Sequence, residues 1–197
     1  NEAQDLITIS STWSTDSVFG QQPDLCRRLL QEASAAGHRV ALVLHPNVWA
    51  AHGRGQIVSW LADCVNDGLL LIPPEEGWRA TMVASDYVVG DHGSTTQYAA
   101  AVGKRVVLAT FPRDKIRSGS IADRLAESTT TLDIGRPLLA QVQQAKPLGR
   151  EIAGLVSSRP GLAGSILRRT IYRLLELTEP DQPVTLSPLP LPNPVLP

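Results

Sequence analysis

Short apolar runs that predict buried strands alternate with amphipathic stretches that predict helices along most of this chain. The runs occupy residues 6–10, 39–44, 69–72, 86–90 and 105–109, and residues 129–133 form a candidate sixth. Strands and helices that alternate through short connections favour parallel strands joined by right-handed crossovers. We therefore predict an α/β fold, a Rossmann-like, doubly wound parallel sheet of about six strands.

The remaining periodic stretches predict the helices that cover this sheet. Helices are expected over residues 23–36, 56–66, 96–102, 137–155 and 161–177, and one more beginning at the Pro73-Pro74-Glu75-Glu76 run. Residues 45–53 are expected to form a loop. One domain spans residues 1–178.

The segment 179–197 holds seven of the fifteen prolines and almost no charge. It is predicted to be an extended or disordered tail, either passive or a polyproline ligand for another protein. The chain lacks an initiating Met and a signal-peptide pattern, and begins just before its first strand, so we expect it to be part of a larger protein.

The turn between the fourth strand and the following helix is the most informative local feature. It reads Asp91-His92-Gly93-Ser94-Thr95. Backbone N–H groups at the start of a helix are unpaired and lie at the positive end of the helix dipole, which favours a bound anion. Ser94 and Gln97 are spaced as a capping box. We predict that this turn binds phosphate or pyrophosphate.

Three other loops follow strands and should meet at the same edge of the sheet, where ligands of such folds bind. Together with the turn they supply the candidate binding residues Ser11, Thr12, Trp13, Pro46, Asn47, Glu75, Glu76, Asp91, Gly93, Ser94, Thr95 and Gln97. Trp13 either stacks on a base or sugar or packs under its loop. Glu75 and Glu76 either contact a base or sugar hydroxyl or complement a helix dipole.

His92 and His45 are the candidate catalytic residues. An imidazole in the phosphate turn could neutralise an anion or transfer a proton near neutral pH, and His45 directly follows the second strand. For each residue the alternative is a structural ring that bonds a neighbouring loop.

Composition excludes several other classes. The net charge of −1 and the absence of a basic stripe argue against nucleic acid as a partner. No cysteine pair or carboxylate cluster lies near the histidines, so no metal site is expected. Cys26 and Cys64 are interpreted as reduced core residues, and no apolar run reaches the length of a membrane span. These features favour a cytoplasmic protein.

Four ordered motifs carry a family resemblance that covers about residues 6–112. They are Ser-Thr-Trp at 11–13, His-Pro-Asn-Val at 45–48, Pro-Pro-Glu-Glu-Gly-Trp at 73–78 and Gly-Asp-His-Gly-Ser at 90–94. This set resembles an actinobacterial branch related to the CDP-glycerol glycerophosphotransferases. Residues 90–106 also resemble the nucleotide-binding turn and helix of UDP-N-acetylglucosamine 2-epimerases, which share the GT-B fold.

The resemblance implies that the chain is the C-terminal, donor-binding half of a GT-B-type transferase. The donor's phosphates would lie at Gly93, Ser94 and Thr95, and its nucleoside near residues 45–47 and 74–78. The nucleotide-activated donor is a substrate, so no cofactor is expected. An N-terminal half would be the partner, and an isolated chain would be inactive. The resemblance also raises peripheral association of the full-length protein with the inner face of the membrane, in cell-wall polymer synthesis.

Three departures keep the reaction open. Gln97 stands where the epimerases hold a ribose with glutamate, and Ser11-Thr12-Trp13 replaces their arginine-rich loop. The glycerophosphotransferases usually have Asp-Tyr-Ser-Ser where this chain has Asp91-His92-Gly93-Ser94. The alternatives are a sugar-nucleotide 2-epimerase of the same fold and a non-catalytic nucleotide-binding module.

Overall fold

The computed structural model describes residues 4–196 and contains one all-parallel sheet. Its strands are β1 (Leu6–Ser11), β2 (Arg39–Leu44), β3 (Leu70–Ile72), β4 (Tyr87–Gly90) and β5 (Arg105–Leu108). They lie in the order β3-β2-β1-β4-β5. The prediction of a Rossmann-like, doubly wound α/β fold is confirmed.

The candidate sixth strand, residues 129–133, is not a full strand, and the sheet in residues 4–196 has five strands. Residues 129–133 form only an isolated parallel bridge, from Thr131 to Leu108. The Leu108 N–H donates to the Thr130 carbonyl and the Leu132 N–H donates to the Leu108 carbonyl, at 2.9 and 2.7 Å. The segment therefore covers the open edge of β5 without extending the sheet by a full strand.

Helices flank the sheet on both faces. They are α1 (Val18–Gln21), α2 (Leu25–Ala35), α3 (Pro46–His52), α4 (Arg54–Asn66), α5 (Trp78–Ala84), α6 (Ser94–Ala101), α7 (Ile121–Ser128), α8 (Leu138–Gln143), α9 (Gly149–Val156) and α10 (Ala163–Leu174). Side chains of β2 alternate between two cores. Val40, Leu42 and Leu44 pack with α2, α4 and α8, whereas Ala41 and Val43 face the side covered by α5, α6, α7 and α9.

Three predicted boundaries differ from the structure. Residues 45–53 are mostly helix α3, because Pro46 occupies its first turn and the His45 side chain caps it. The helix expected at Pro73 begins only at Trp78, after Gly77 takes a left-handed conformation with φ +97°. The helix predicted over residues 137–155 is split into α8 and α9, consistent with Pro147 lying between them.

Helix α10 lies outside both cores. It has no buried residue, and Leu167, Ile171 and Leu174 on it are exposed. The first part of the tail folds back on this helix, where Nε of Arg168 lies 2.9 Å from Oε1 of Glu179. No helix within residues 4–196 is long and apolar enough to cross a bilayer.

Residues 192–195 of the tail contact the edge of β3 and the loop that follows it. The Val195 N–H donates to the Leu71 carbonyl at 2.8 Å, and Val195 packs against the core. Pro192 lies against Gly77, where a Cβ would come within 2.6 Å of the Pro192 Cα. We call residues 192–195 the edge segment. The tail forms no helix or strand from residue 177 to 196, yet it makes a specific contact with the sheet.

Gly77→Ala is expected to lower the free energy of unfolding by about 2 kcal/mol and to release the edge segment. A left-handed backbone costs alanine roughly 1–2 kcal/mol, and the new methyl group would also strike Pro192. Amide exchange at Val195 should accelerate at least tenfold. Gly68→Ala is the matched control, because Gly68 has φ +98° and an added Cβ there meets no heavy atom within 4 Å. Equal Val195 exchange in both variants would contradict the prediction.

Candidate functional site

The candidate site lies between β1 and β4, where the strand order of the sheet changes direction. From β1 the chain adds β2 and β3 on one side, whereas β4 and β5 lie on the other. The connections that leave the carboxyl ends of β1 and β4 therefore diverge, and a crevice opens between them. Such a switch point is where open α/β sheets bind ligands.

Asp91 ties the two sides of this crevice together. It directly follows β4 and is completely buried. Its Oδ2 accepts hydrogen bonds from the N–H groups of Thr12 (2.9 Å) and Val18 (3.0 Å), and its Oδ1 accepts one from Gly93 (2.9 Å). Asp91 was predicted to bind the ligand, but its carboxylate instead faces inward and fixes the loop after β1 against the turn.

Helix α6 begins at Ser94, with Gly93 as its N-cap residue and without a side-chain cap. The predicted Ser94–Gln97 capping box is therefore wrong. Ser94 is already helical, and the Gln97 side chain donates to the His92 carbonyl at 2.9 Å. Within residues 4–196 no group accepts from the N–H groups of Ser94, Thr95 and Thr96. Three unpaired donors at a helix start are the arrangement that binds phosphate elsewhere.

A cavity of about 230 Å³ opens directly in front of Ser94 and Thr95. It brings together residues from the ends of three strands and from α5 and α6. The lining residues are Ser11, Val43, Leu44, His45, Pro46, Pro73, Pro74, Trp78, Ser94, Thr95 and Tyr98. We call it the switch-point cavity. No Lys, Arg, Asp or Glu is among these residues, so the polar side chains of the lining are hydroxyls, one indole and one imidazole.

Ser11 is held in place by its own hydrogen bonds. Its Oγ donates to the Thr12 carbonyl and accepts from the Phe19 N–H, both at 3.0 Å. The side chain is buried at the end of β1 and forms part of the cavity floor. Its hydroxyl proton is committed to this network.

His45 caps helix α3 and lines the cavity with the same ring. Its Nδ1 accepts a hydrogen bond from the Asn47 N–H at 3.1 Å. Because Nδ1 is the acceptor, the neutral ring carries its proton on Nε2, so that atom is a donor. The structure thus supports the alternative considered for His45, a structural ring that bonds the adjacent segment, and it leaves the ring a hydrogen-bond donor and not a base.

His92 lies in the turn but does not line the switch-point cavity. Its Nδ1 is buried and has no hydrogen-bond partner in the described part of the chain. A ligand would reach this nitrogen only after the ring turns. A catalytic role for His92 stays a prediction.

Trp13 and Asn47 line a second, neighbouring cavity of about 350 Å³, on the other side of the loop after β1. Trp13 is 54% exposed, and its ring centroid lies 6.4 Å from that of His45. Trp13 therefore lies beside a residue of the switch-point cavity without lining that cavity, and its stacking on a base or sugar stays a prediction. Thr12 is committed through its N–H to Asp91.

The two predicted binding glutamates, Glu75 and Glu76, each form an ion pair with an arginine. Both Oε atoms of Glu75 lie 3.1 Å from Nη2 of Arg54, and Oε2 of Glu76 lies 3.8 Å from Nη2 of Arg79. The pKa of the Glu75 carboxyl is lowered, first by a hydrogen bond from the Glu75 backbone and then by the guanidinium of Arg54. Neither glutamate lines the switch-point cavity, so the structure does not bring them to the predicted ligand contacts.

Tyr98 is a cavity residue that the sequence interpretation missed. It follows Ser94 by four positions, so both lie on one face of α6, and it is 46% exposed at the cavity mouth. Trp78 was expected, through the family resemblance, to be a neighbour of the nucleoside. It forms the opposite wall. The i, i+4 spacing from Ser94 could have identified Tyr98.

Comparison with known proteins finds only distant structural similarity. No family model matches the chain, and no curated protein matches it. Among solved structures it is distantly similar to CalG4, the calicheamicin glycosyltransferase, with 17% sequence identity and a TM-score of 0.28. The match covers 53% of this chain and 32% of CalG4, so the chain spans about a third of that protein's length. At this level the likeness carries no argument about activity.

Proposed function

We propose that this chain is the donor-binding half of a glycerophospho- or glycosyltransferase that uses a nucleotide-activated donor. One observation carries the proposal: Ser94 and Thr95, whose N–H groups are unpaired at the start of α6, line the same cavity as Trp78, Tyr98 and His45. An anion site beside an apolar, aromatic-walled cavity suits a ligand with a phosphate at one end and a flat or hydroxylated group at the other.

The size of the switch-point cavity limits what it holds. Pockets for drug-sized ligands occupy roughly 300–1,000 Å³, whereas this cavity has about 230 Å³. It therefore accommodates one moiety, which we assign to the nucleoside. The diphosphate would lie at its mouth on Ser94 and Thr95, and the transferred group would extend outward, where an N-terminal half would bind the acceptor.

The chemistry within the cavity supports binding and leaving-group stabilisation. The α6 N–H groups would stabilise the negative charge that develops on the departing nucleotide, and Nε2–H of His45 would add a donor. No lining residue is a carboxylate or an imidazole with a free acceptor nitrogen, so the base that activates the acceptor would come from outside this cavity.

Ser94→Pro should weaken the binding of CDP or UDP about tenfold without loss of stability. Proline is accepted at the first helical position, and Gly93 is already extended as a residue before proline must be. The substitution removes one N–H, and a hydrogen bond to a charged group contributes about 1.5 kcal/mol. Calorimetry with CDP, UDP and CDP-glycerol measures the effect, and NMR shifts of Gly93, Ser94 and Thr95 localise it.

Ser94→Ala is the matched control, because it retains the N–H and removes only the hydroxyl. It should cost less affinity than proline does. The proposal fails if neither nucleotide perturbs these amides at millimolar concentration, or if Ser94→Pro binds as the wild type does.

A non-catalytic nucleotide-binding module is the second candidate. The observation that favours it is the absence of a free general base among the cavity residues. His92→Ala in the full-length protein separates the two functions. A transferase that uses His92 should lose turnover by a hundredfold or more while nucleotide binding persists, whereas a binding module would be unaffected.

A further inference from the structure

The two cysteines lie side by side on neighbouring helices. Cys26 is on α2 and Cys64 is on α4, both are buried and unbridged, and both line one cavity of about 400 Å³. An ion pair joins the two helices between Arg27, which follows Cys26, and Asp63, which precedes Cys64. Nη2 of Arg27 lies 3.2 Å from Oδ2 of Asp63. This cavity is on the α2–α4 side of the sheet and shares no lining residue with the switch-point cavity.

The surroundings distinguish the two thiols. A hydrogen bond from Cys26 lowers the pKa of Cys64 to about 7. Arg27 adds to this effect, whereas burial and the carboxylates of Asp67 and Asp63 oppose it. The same hydrogen bond, together with burial, raises the pKa of Cys26 well above its ordinary value. Since the thiolate is the reactive form, Cys64 is the nucleophile of the pair and Cys26 the protonated neighbour.

We propose that Cys26 and Cys64 form a redox-active dithiol, which hydrogen peroxide that enters the cavity of about 400 Å³ converts to a disulfide between α2 and α4. The Cys64 thiolate attacks the peroxide oxygen, the O–O bond breaks, and the leaving hydroxide takes a proton to become water. The Cys64 sulfenic acid is then attacked by the sulfur of Cys26. The S–S bond forms, and the S–O bond breaks with release of a second water. Two thiols are oxidised by two electrons, and one peroxide is reduced to two waters.

The arrangement has the parts that such chemistry requires. A low-pKa thiol lies next to a resolving thiol, and an arginine supports the thiolate. The cavity that both cysteines line has room for a small oxidant beside the two thiols. A buried cysteine pair without these features would be an inert part of the core.

The full chain treated with one equivalent of hydrogen peroxide tests the proposal. We expect both thiols to disappear, the mass to fall by two hydrogen atoms, and a non-reducing peptide map to show Cys26 linked to Cys64 within one chain. A thiol reductant should restore both. Alkylation of Cys64 by iodoacetamide should rise with pH through a midpoint near 7 and then level off. Cys26 should react at least tenfold more slowly at neutral pH.

Single variants assign the roles. Cys26→Ala should leave Cys64 as a sulfenic acid that dimedone traps, whereas Cys64→Ala should leave Cys26 unmodified by the same peroxide dose. If a variant does not fold, the peptide map of the wild-type chain alone tests the proposal. The proposal is overturned if peroxide produces sulfinic acid or disulfides between chains without the Cys26–Cys64 link, or if both thiols stay free.

Discussion

Replacing Asp91 with alanine is expected to lower the free energy of unfolding by about 3–5 kcal/mol. The carboxylate is fully buried and accepts three backbone N–H groups, those of Thr12, Val18 and Gly93. Alanine would leave all three without an acceptor, and each unpaired buried donor costs about 1–3 kcal/mol. Domains of this size are stable by only about 5–15 kcal/mol, so much of the protein would unfold on mild heating. Urea denaturation measures the loss.

Asp86→Ala is the matched control for this prediction. Asp86 lies just before β4 and accepts one backbone N–H, that of Leu6, at 2.9 Å. The same substitution there should cost about 1 kcal/mol. If the Asp91 variant lost no more stability than the Asp86 variant, the three hydrogen bonds would not hold the crevice together as we infer. Nucleotide binding should fall in the Asp91 variant even where it is folded, because the loop after β1 would lose its attachment.

Gly90→Ala should destabilise the protein by about 3 kcal/mol. An alanine Cβ would lie 2.6 Å from the Cγ2 of Thr96 and closer still to its Oγ1. Thr96 is completely buried and β-branched, so it has no room to turn away. Overpacking of this kind costs about 1–3 kcal/mol or more, because it forces the backbone to move. The elements that would separate are β4 and α6, which carry the turn of residues 91–93 between them.

A double-mutant cycle tests this cause. Thr96→Ala alone should change stability by less than about 1 kcal/mol, because it removes a methyl group but also a buried hydroxyl that lacks a partner in the described residues. Combined with Gly90→Ala it should recover about 2 kcal/mol of the loss. Gly154→Ala is the control glycine, since an added Cβ there meets nothing and should stabilise α9 by up to about 1 kcal/mol. Additive effects of the Gly90 and Thr96 changes would exclude the steric cause.

The fold class could be predicted because its signal is local. A continuous apolar run such as residues 39–44 is buried on both faces only in a parallel sheet, and five such runs with helices between them leave few architectures. Residues 129–133 were a weaker case. They have the composition of a strand, but their backbone pairs with only one residue of β5, and the pattern of a single segment does not say how many partners it finds.

The candidate site could be predicted only in part, because several of its contacts span long stretches of chain. Asp91 looked like a ligand residue since it begins the phosphate turn, but its partners Thr12 and Val18 are 79 and 73 residues away. The capping box failed for a different reason. Gly93 already has the extended conformation of an N-cap residue, so the helix begins one residue earlier than the serine pattern requires.

The edge segment determines where this protein can be modified for experiments. Val195 occupies the hydrogen-bonding edge of β3, and Pro192 supports the loop that leads to Trp78, a wall of the switch-point cavity. A fluorescent label attached at or next to Val195 would compete with this contact. Affinities measured on a chain labelled there would report a disturbed pocket, so labels belong on residues that contact neither β3 nor Gly77.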